Sequence, residues 1–352
     1  MTAARAWMFA AALTALLGAC GEEAGPQPDP YPLDGVLRLH HVQVKGTHNS
    51  YHVEPERVVD ASHAYSHAPL DVQLEEQGVR QFELDVHFSV EGHFEVLHLP
   101  GIDAQTTCQR LIACLEIIVA WSDAHPGHMP VVVWVEPKDD VERLVDNPDV
   151  LGYDVLDGHF DQLDAEIRAA IPASKRFEPD DLRGDFDALP EAIAAEGGWP
   201  TLGRVRGRII FAMLDDGEHL AAYKEGRPAL QGRAMFANAS SPQDPHAAMF
   251  KINDAVGGRD RVQSLLRAGF LVTSNIDGAG EGVEEAEASL QGSLEAGANF
   301  LSSDFPAPVE GFDYVAEVPG GAPARCNPVT APPECTPEAI EALRAPADPP
   351  RR

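Results

Sequence analysis

Val131-Val132-Val133-Trp134-Val135 runs directly into Glu136-Pro137-Lys138, and this stretch decides the fold. A strand that is apolar at every position has no solvated face, which suits a parallel strand covered on both sides. Working outward, further strand candidates are Val42–Lys45, Gln81–Phe88, Arg208–Leu214, Ala234–Ala237, Phe270–Thr273 and Phe300–Ser302. Between them lie longer amphipathic runs that read as helices: Cys108–Ala124, Val155–Ile171, Asp260–Ala268 and Val283–Ala296. Repeated strand-then-helix units imply an α/β protein with a parallel sheet and right-handed crossovers. About seven strands leave two choices open, a barrel with one weak or missing strand or an open sheet. The segment Ser89–Leu99 breaks the rhythm: two short strand-like pieces around Glu91-Gly92 suggest a hairpin.

The chain has 352 residues, with 56 Asp or Glu against 26 Lys or Arg, a formal net charge of −30. Such a balance argues against a nucleic-acid partner and against unassisted adhesion to anionic lipid. With 44% hydrophobic residues, a sizeable core is affordable and global disorder is excluded. Residues 1–19 read as a secretory signal: Arg5, an apolar stretch, then small residues. Leu17-Gly18-Ala19-Cys20 resembles a lipobox, which makes Cys20 the candidate lipidation site of an exported bacterial lipoprotein anchored in the periplasm or at the outer surface; plain secretion is the alternative. Residues 20–36 then form a Pro-rich linker, 37–310 a single catalytic domain, and 311–352 a Pro-rich tail. The remaining cysteines are Cys108, Cys114, Cys326 and Cys335, an even number suited to two disulfides in an exported chain. Proximity favours 108–114 and 326–335 among the three possible pairings. The first of these requires Cys108 to precede the helix start, because both residues within one helix would stand too far apart.

Ionisable residues collect at the carboxyl ends of the first strands, and in a parallel barrel those ends share one mouth. The first group is Gly46-Thr47-His48-Asn49-Ser50. In Phe82–His87, alternation sends Glu83, Asp85 and His87 to one side while Phe82, Leu84 and Val86 pack away. Glu136 and Lys138 likewise share a side, and His98 follows the hairpin. Three carboxylates aimed into one mouth repel each other unless a positive charge lies between them. With the neutral oxygen of Asn49 they form an all-oxygen set that suits Ca2+, with Mg2+ as second choice. A cation beside two histidines suits phosphoryl transfer: the metal neutralises non-bridging oxygens, one imidazole removes a proton, and the other protonates the leaving alkoxide. Taken singly, a Glu-x-Asp is usually a solvated face, and most of the 14 histidines, among them His63, His67, His125 and His128, suit structural roles. His87 alone reads the same way. The co-occurrence of His-Asn, Glu-x-Asp, His and Glu at successive strand ends lifts this set above that background.

That order resembles the metal-dependent branch of the phosphatidylinositol-specific phospholipase C superfamily, and more closely the bacterial Ca2+-dependent phosphoinositide phospholipase C family. The matching stretches are GTHNSYH (46–52), YSHAPLDVQLEEQGVRQFELDVH (65–87), HLPGIDAQTTC (98–108), WSDAHPGHMP (121–130) and EPKDD (136–140), with weaker matches to about residue 306. The resemblance implies an irregular TIM (β/α) barrel. It implies Asn49, Glu83, Asp85 and Glu136 as Ca2+ ligands and His48 and His98 as catalytic histidines. Lys138 and His87 are the candidate substrate contacts. The implied reaction is attack of an inositol hydroxyl on the phosphodiester, with diacylglycerol leaving and a cyclic inositol phosphate formed. His98 would be acid to the leaving oxygen, and His48 would stabilise or deprotonate on the opposite side. The implied partner is phospholipid at a membrane surface, met by a monomer.

One stretch departs from the pattern. Relatives tend to carry Arg-Thr-Arg-x-Asp after the strand at 270–273, where this chain reads Thr273-Ser274-Asn275-Ile276-Asp277. Both guanidinium groups, with their bidentate phosphate grip, are missing. Lys45 or Arg233 are candidate substitutes, and Asp277 and Asp304 candidate contacts for polyol hydroxyls. Two other readings remain. A glycerophosphodiester phosphodiesterase expects His-Arg-Gly where Thr47-His48-Asn49 stands. A lipid-anchored binding protein without turnover expects the loss of a catalytic residue, and none is lost.

Overall fold

The computed structural model describes residues 31–139, 152–320 and 323–341; the signal segment, Cys20 and the linker up to Pro30 lie outside the described residues. In chain order the strands are β1 (Val42–Thr47), β2 (Val79–Ser89), β3 (Phe94–Val96), β4 (Val131–Pro137), β5 (Tyr153–Asp154), β6 (Ile209–Met213), β7 (Phe236–Ala237), β8 (Met249–Lys251), β9 (Leu271–Asn275), β10 (Phe300–Ser303) and β11 (Ala324–Cys326). Eight of them pair in the order β7-β6-β4-β2-β1-β10-β9-β8, every pair parallel. The two ends meet: Asn238 and Met249 form a parallel bridge, and the Ala239 N–H donates to the Met249 carbonyl at 3.0 Å. The sheet therefore closes, and of the two sequence alternatives the barrel is the one formed.

The barrel strand missing from the sequence reading is β8. It is only three residues, Met-Phe-Lys, and no helix stands between it and β7, so neither periodicity marks it. Val131–Val135 fill the wall as expected, each at most 1% exposed. The hairpin also forms, with β3 antiparallel to β2 through Val86–Val96 and Phe88–Phe94. Two helices start later than their apolar patterns. The helix expected from Cys108 begins at Leu111, leaving Cys108 outside it and bonded to Cys114 across a Cα separation of 5.4 Å. The helix expected from Val155 begins at Phe160, because Gly158 at φ +85° turns the chain just before it. Val283–Ala296 is helical throughout and stops at Gly297 in the left-handed region.

The chain ends are less loose than their composition suggests. Within the expected linker, Asp34 pairs with Arg206, whose guanidinium stacks 3.6 Å above the Tyr31 ring. In the expected extended tail, β11 pairs antiparallel with Val42–Val44 of β1, and Cys326 bonds Cys335. Glu341 then locks onto buried Arg80 through two hydrogen bonds of 2.6 and 3.0 Å. Among the described residues no helix is long and apolar enough to cross a membrane.

Candidate active site

Register assembles the acidic cluster. Parallel pairing sets Asp85 beside Glu136 and Glu83 beside Trp134, so the even alternation of β2 and β4 turns the three carboxylates inward together. Glu83 and Asp85 are buried, Glu136 partly so, and one oxygen from each lies within 4.8 Å of the others. At that spacing each pair of charges repels by about 3 kcal/mol at an effective dielectric of ~20. Burial, then the charge of Asp85, pushes the Glu136 carboxyl up to about 7.

Two lysines oppose this. The Lys138 ammonium lies 2.8 Å from Glu136 and 3.5 Å from Asp85. Lys251, which the sequence reading missed, reaches Glu83 at 2.8 Å from the opposite wall, since β1, β10 and β9 separate β8 from β2. Both carboxylate oxygens of Asp85 are nevertheless buried without a hydrogen bond. Orphaned anionic oxygens in an oxygen-only donor set fit a hard divalent cation. Asn49 is buried and stands in the left-handed region, φ 41°, which asparagine tolerates. Its neighbours on both sides touch Glu83: His48 Nε2 is 3.6 Å from the carboxylate, and the Ser50 N–H donates to the Glu83 carbonyl at 2.9 Å.

His48 donates through Nδ1 to Asp304 at 2.9 Å. Burial opposes its charge, but Asp304 and Glu83 together outweigh burial and raise its pKa to about 9. Asp304 was visible in the sequence only as a possible polyol contact. Its two oxygens instead serve His48 and the Ala279 N–H, and Asp277 accepts from Ser303, Tyr314 and the Asp304 N–H, which props the end of β10. Strand pairing explains the placement: Thr47 lies beside Ser303, so the next residue on each strand meets its neighbour. His67, neutral through burial with its pKa near 4, donates to the His48 carbonyl at 2.8 Å.

His98 forms a matching pair, donating through Nδ1 to Asp103 at 2.8 Å. The fully buried Asp103 was not singled out from sequence, although Pro100-Gly101 is a turn signal; Gly101 at φ +74° folds Leu99 and Asp103 into a bridge. His52 also donates to Asp103, at 2.9 Å, and its ring stacks on Tyr65 at 4.3 Å; Tyr65 meets His67 at 5.3 Å, which closes a chain of contacts from His98 back to His48. His87 is buried on the carboxylate-bearing face and donates to the His98 carbonyl at 3.3 Å, so in this structure it holds the segment carrying His98.

The proposed arginine substitutes are committed elsewhere. Arg233 binds the Tyr223 carbonyl, Asp161 and Asp164, and Lys45 binds the Pro306 carbonyl. Thr273 and Ser274 are buried in β9. The cations at the carboxylates are Lys138 and Lys251.

The sequence profile of a family described as "Phosphoinositide phospholipase C, Ca2+-dependent" matches residues 37–94 and 90–328. Among solved structures, the fold is similar to a calcium-dependent phosphoinositol-specific phospholipase C from Pseudomonas sp. in its myoinositol complex, with TM-score 0.57, 20% identity, 84% of this chain and 97% of that one covered. It is also similar to the Ca2+-dependent phosphatidylinositol-specific phospholipase C of Streptomyces antibioticus, with TM-score 0.53, 21% identity and 77% and 95% covered. At these identities the structures speak for the fold alone. A search of curated protein sequences finds no match. The profile takes in nearly the whole barrel, including both carboxylate-bearing strands and both histidine–aspartate pairs, and by that match the chain belongs to the Ca2+-dependent phosphoinositide phospholipase C family.

Proposed function

We propose that this chain cleaves phosphatidylinositol-type phospholipids at the bond between phosphorus and the glycerol oxygen, releasing diacylglycerol and a cyclic inositol phosphate. The reading rests on one observation: a three-carboxylate cluster, in which the oxygens of Asp85 accept no hydrogen bond, brings Glu83 to 3.6 Å from a histidine already held by a carboxylate of its own. Asn49, Glu83, Asp85 and Glu136 would hold Ca2+, for which Mg2+ is the weaker candidate. When bound, that ion supplies positive charge to the non-bridging phosphate oxygens.

The residues of the chain supply the proton chemistry. An inositol hydroxyl oxygen bonds to phosphorus and gives up its proton to His48 Nε2. The phosphorus–glycerol oxygen bond breaks, and His98 delivers a proton to the departing oxygen. Asp304 and Asp103 fix the two imidazoles through Nδ1, which makes Nε2 the nitrogen of each ring that would exchange a proton with substrate. Asp304 and Glu83 favour the charged form of His48, and loss of the Glu83 charge to a cation it holds would favour the neutral imidazole that accepts the proton. Lys138 is the candidate contact for a phosphate oxygen, and His87 supports the His98 segment. Two disulfides and the lipobox-like stretch support an exported, lipid-anchored protein working at a membrane surface.

Phosphorus NMR of products from phosphatidylinositol and from glycerophosphoinositol, each with Ca2+ and with EDTA, tests this. A Ca2+-dependent cyclic phosphodiester signal is expected. Glycerol phosphate alone would indicate a glycerophosphodiester phosphodiesterase, and lipid binding without any product a binding protein; either overturns the proposal.

A further inference from the structure

Asp103 is the centre of a second polar cluster, outside the three carboxylates. It faces three imidazoles: His52 at 2.9 Å, His98 at 2.8 Å and His63 at 3.6 Å. One carboxylate does not require three imidazole partners, and His52 and His98 already hydrogen-bond it, His52 with its other nitrogen on the Tyr65 carbonyl. His63 is left over. It is 8% exposed, held in the short turn Ala61–His63 that Asp60 caps, and its Nδ1 has no hydrogen-bond partner. That nitrogen points at a carboxylate oxygen from too far for a hydrogen bond and from the right distance for two ligands sharing a metal with bonds of about 2 Å. The His63 and His98 rings stand edge to face with centroids 5.1 Å apart, and one donor atom from each of His63, His98 and Asp103 lies within 4.8 Å of the others.

We propose that His63, His98 and Asp103 form a second metal site, for a borderline divalent cation of the Zn2+ type. Two imidazole nitrogens and one carboxylate oxygen are a donor set that suits Zn2+ and that Ca2+ does not favour. The His98 side chain is 20% exposed, which leaves an entry path and a fourth position for solvent. The His98–Asp103 contact must lengthen by less than 1 Å to admit the ion. A consequence rests on the reading of His98 as proton donor: a metal on its Nδ1 removes the imidazolium, so Zn2+ inhibits turnover while Ca2+ stays bound.

The test uses tag-free protein saturated with Ca2+, titrated with Zn2+ by calorimetry and with Co2+ by visible absorption, alongside His63→Ala and His63→Gln. One equivalent of Zn2+ is expected, with four-coordinate Co2+ bands, and binding at least tenfold weaker in both variants at an unchanged melting temperature. Should His63→Ala fail to fold, His63→Gln carries the comparison. Absent Zn2+ binding, or equal binding in wild type and variants, overturns the site. Zn2+ binding that depends on His63 but leaves turnover untouched keeps the site and removes His98 from the role of proton donor.

Discussion

Replacing Asp103 by Asn removes one charge and almost no volume, so it isolates what the carboxylate does for His98. Asp103 is fully buried, and against that burial the hydrogen bonds from His52 and His98 hold its carboxyl well below the usual range. It is therefore ionised throughout the working pH range and receives two charge-assisted hydrogen bonds, at 2.9 and 2.8 Å. Hydrogen bonds to charged groups contribute about 1.5–3 kcal/mol against about 1 for neutral ones, so the variant should lose roughly 2–3 kcal/mol of stability. Catalysis should lose more, because the amide neither fixes the His98 tautomer nor supports its charge. A loss of about 2–4 kcal/mol in transition-state stabilisation is roughly 30- to 1000-fold in kcat. The assay is Ca2+-saturated hydrolysis of phosphatidylinositol, with Ca2+-induced thermal stabilisation as the control for an intact metal cluster. Turnover within threefold of wild type, beside the expected loss of stability, would show that Asp103 only packs the loop.

Removing Ca2+ with EDTA should abolish activity and lower the melting temperature by roughly 4 °C when Ca2+ had been present at about 100 times its dissociation constant; no change in either contradicts the cation cluster. His98→Ala should remove most turnover and leave Ca2+ binding intact, and joint loss of both would make His98 structural. Lys251→Met strands the buried Glu83, so without Ca2+ the variant should lose about 3–5 kcal/mol by urea unfolding and regain a large part of it with Ca2+; insensitivity to Ca2+ would refute the cross-barrel pairing. Burial pushes His128 down to about 4, so the native state keeps it neutral while the unfolded chain protonates it near 6.5. A depressed histidine stabilises above the unfolded value and loses that contribution as pH falls. The stability advantage of wild type over His128→Gln should therefore shrink by about 1.4 kcal/mol between pH 7.5 and 5.5, and a constant gap in paired urea titrations would count against a buried neutral imidazole.

Much of this protein was legible along the chain because the relevant rules are local. Strand alternation already turned Glu83, Asp85 and His87 to one side and Phe82, Leu84 and Val86 to the other, and the unbroken apolar run at 131–135 implied a wall covered on both faces. Cysteine spacing carried both disulfides, since loops of six and nine residues bring their ends together with little help from the rest of the fold. Other features had no local signal. Three residues make β8, and only pairing on both sides makes them a strand; Lys251 becomes a neighbour of Glu83 because the sheet closes and the two strands face each other across the barrel. Asp304 reaches His48 because the last strand of the barrel lies beside the first, which brings together residues 256 apart in sequence. Asp103 lies five residues from His98, but its value depends on a left-handed glycine turn and on His52 arriving from another loop. Side-chain direction is set by the backbone period and can be read residue by residue. Which charges meet is set by closure and register, and those exist only once the whole chain has packed.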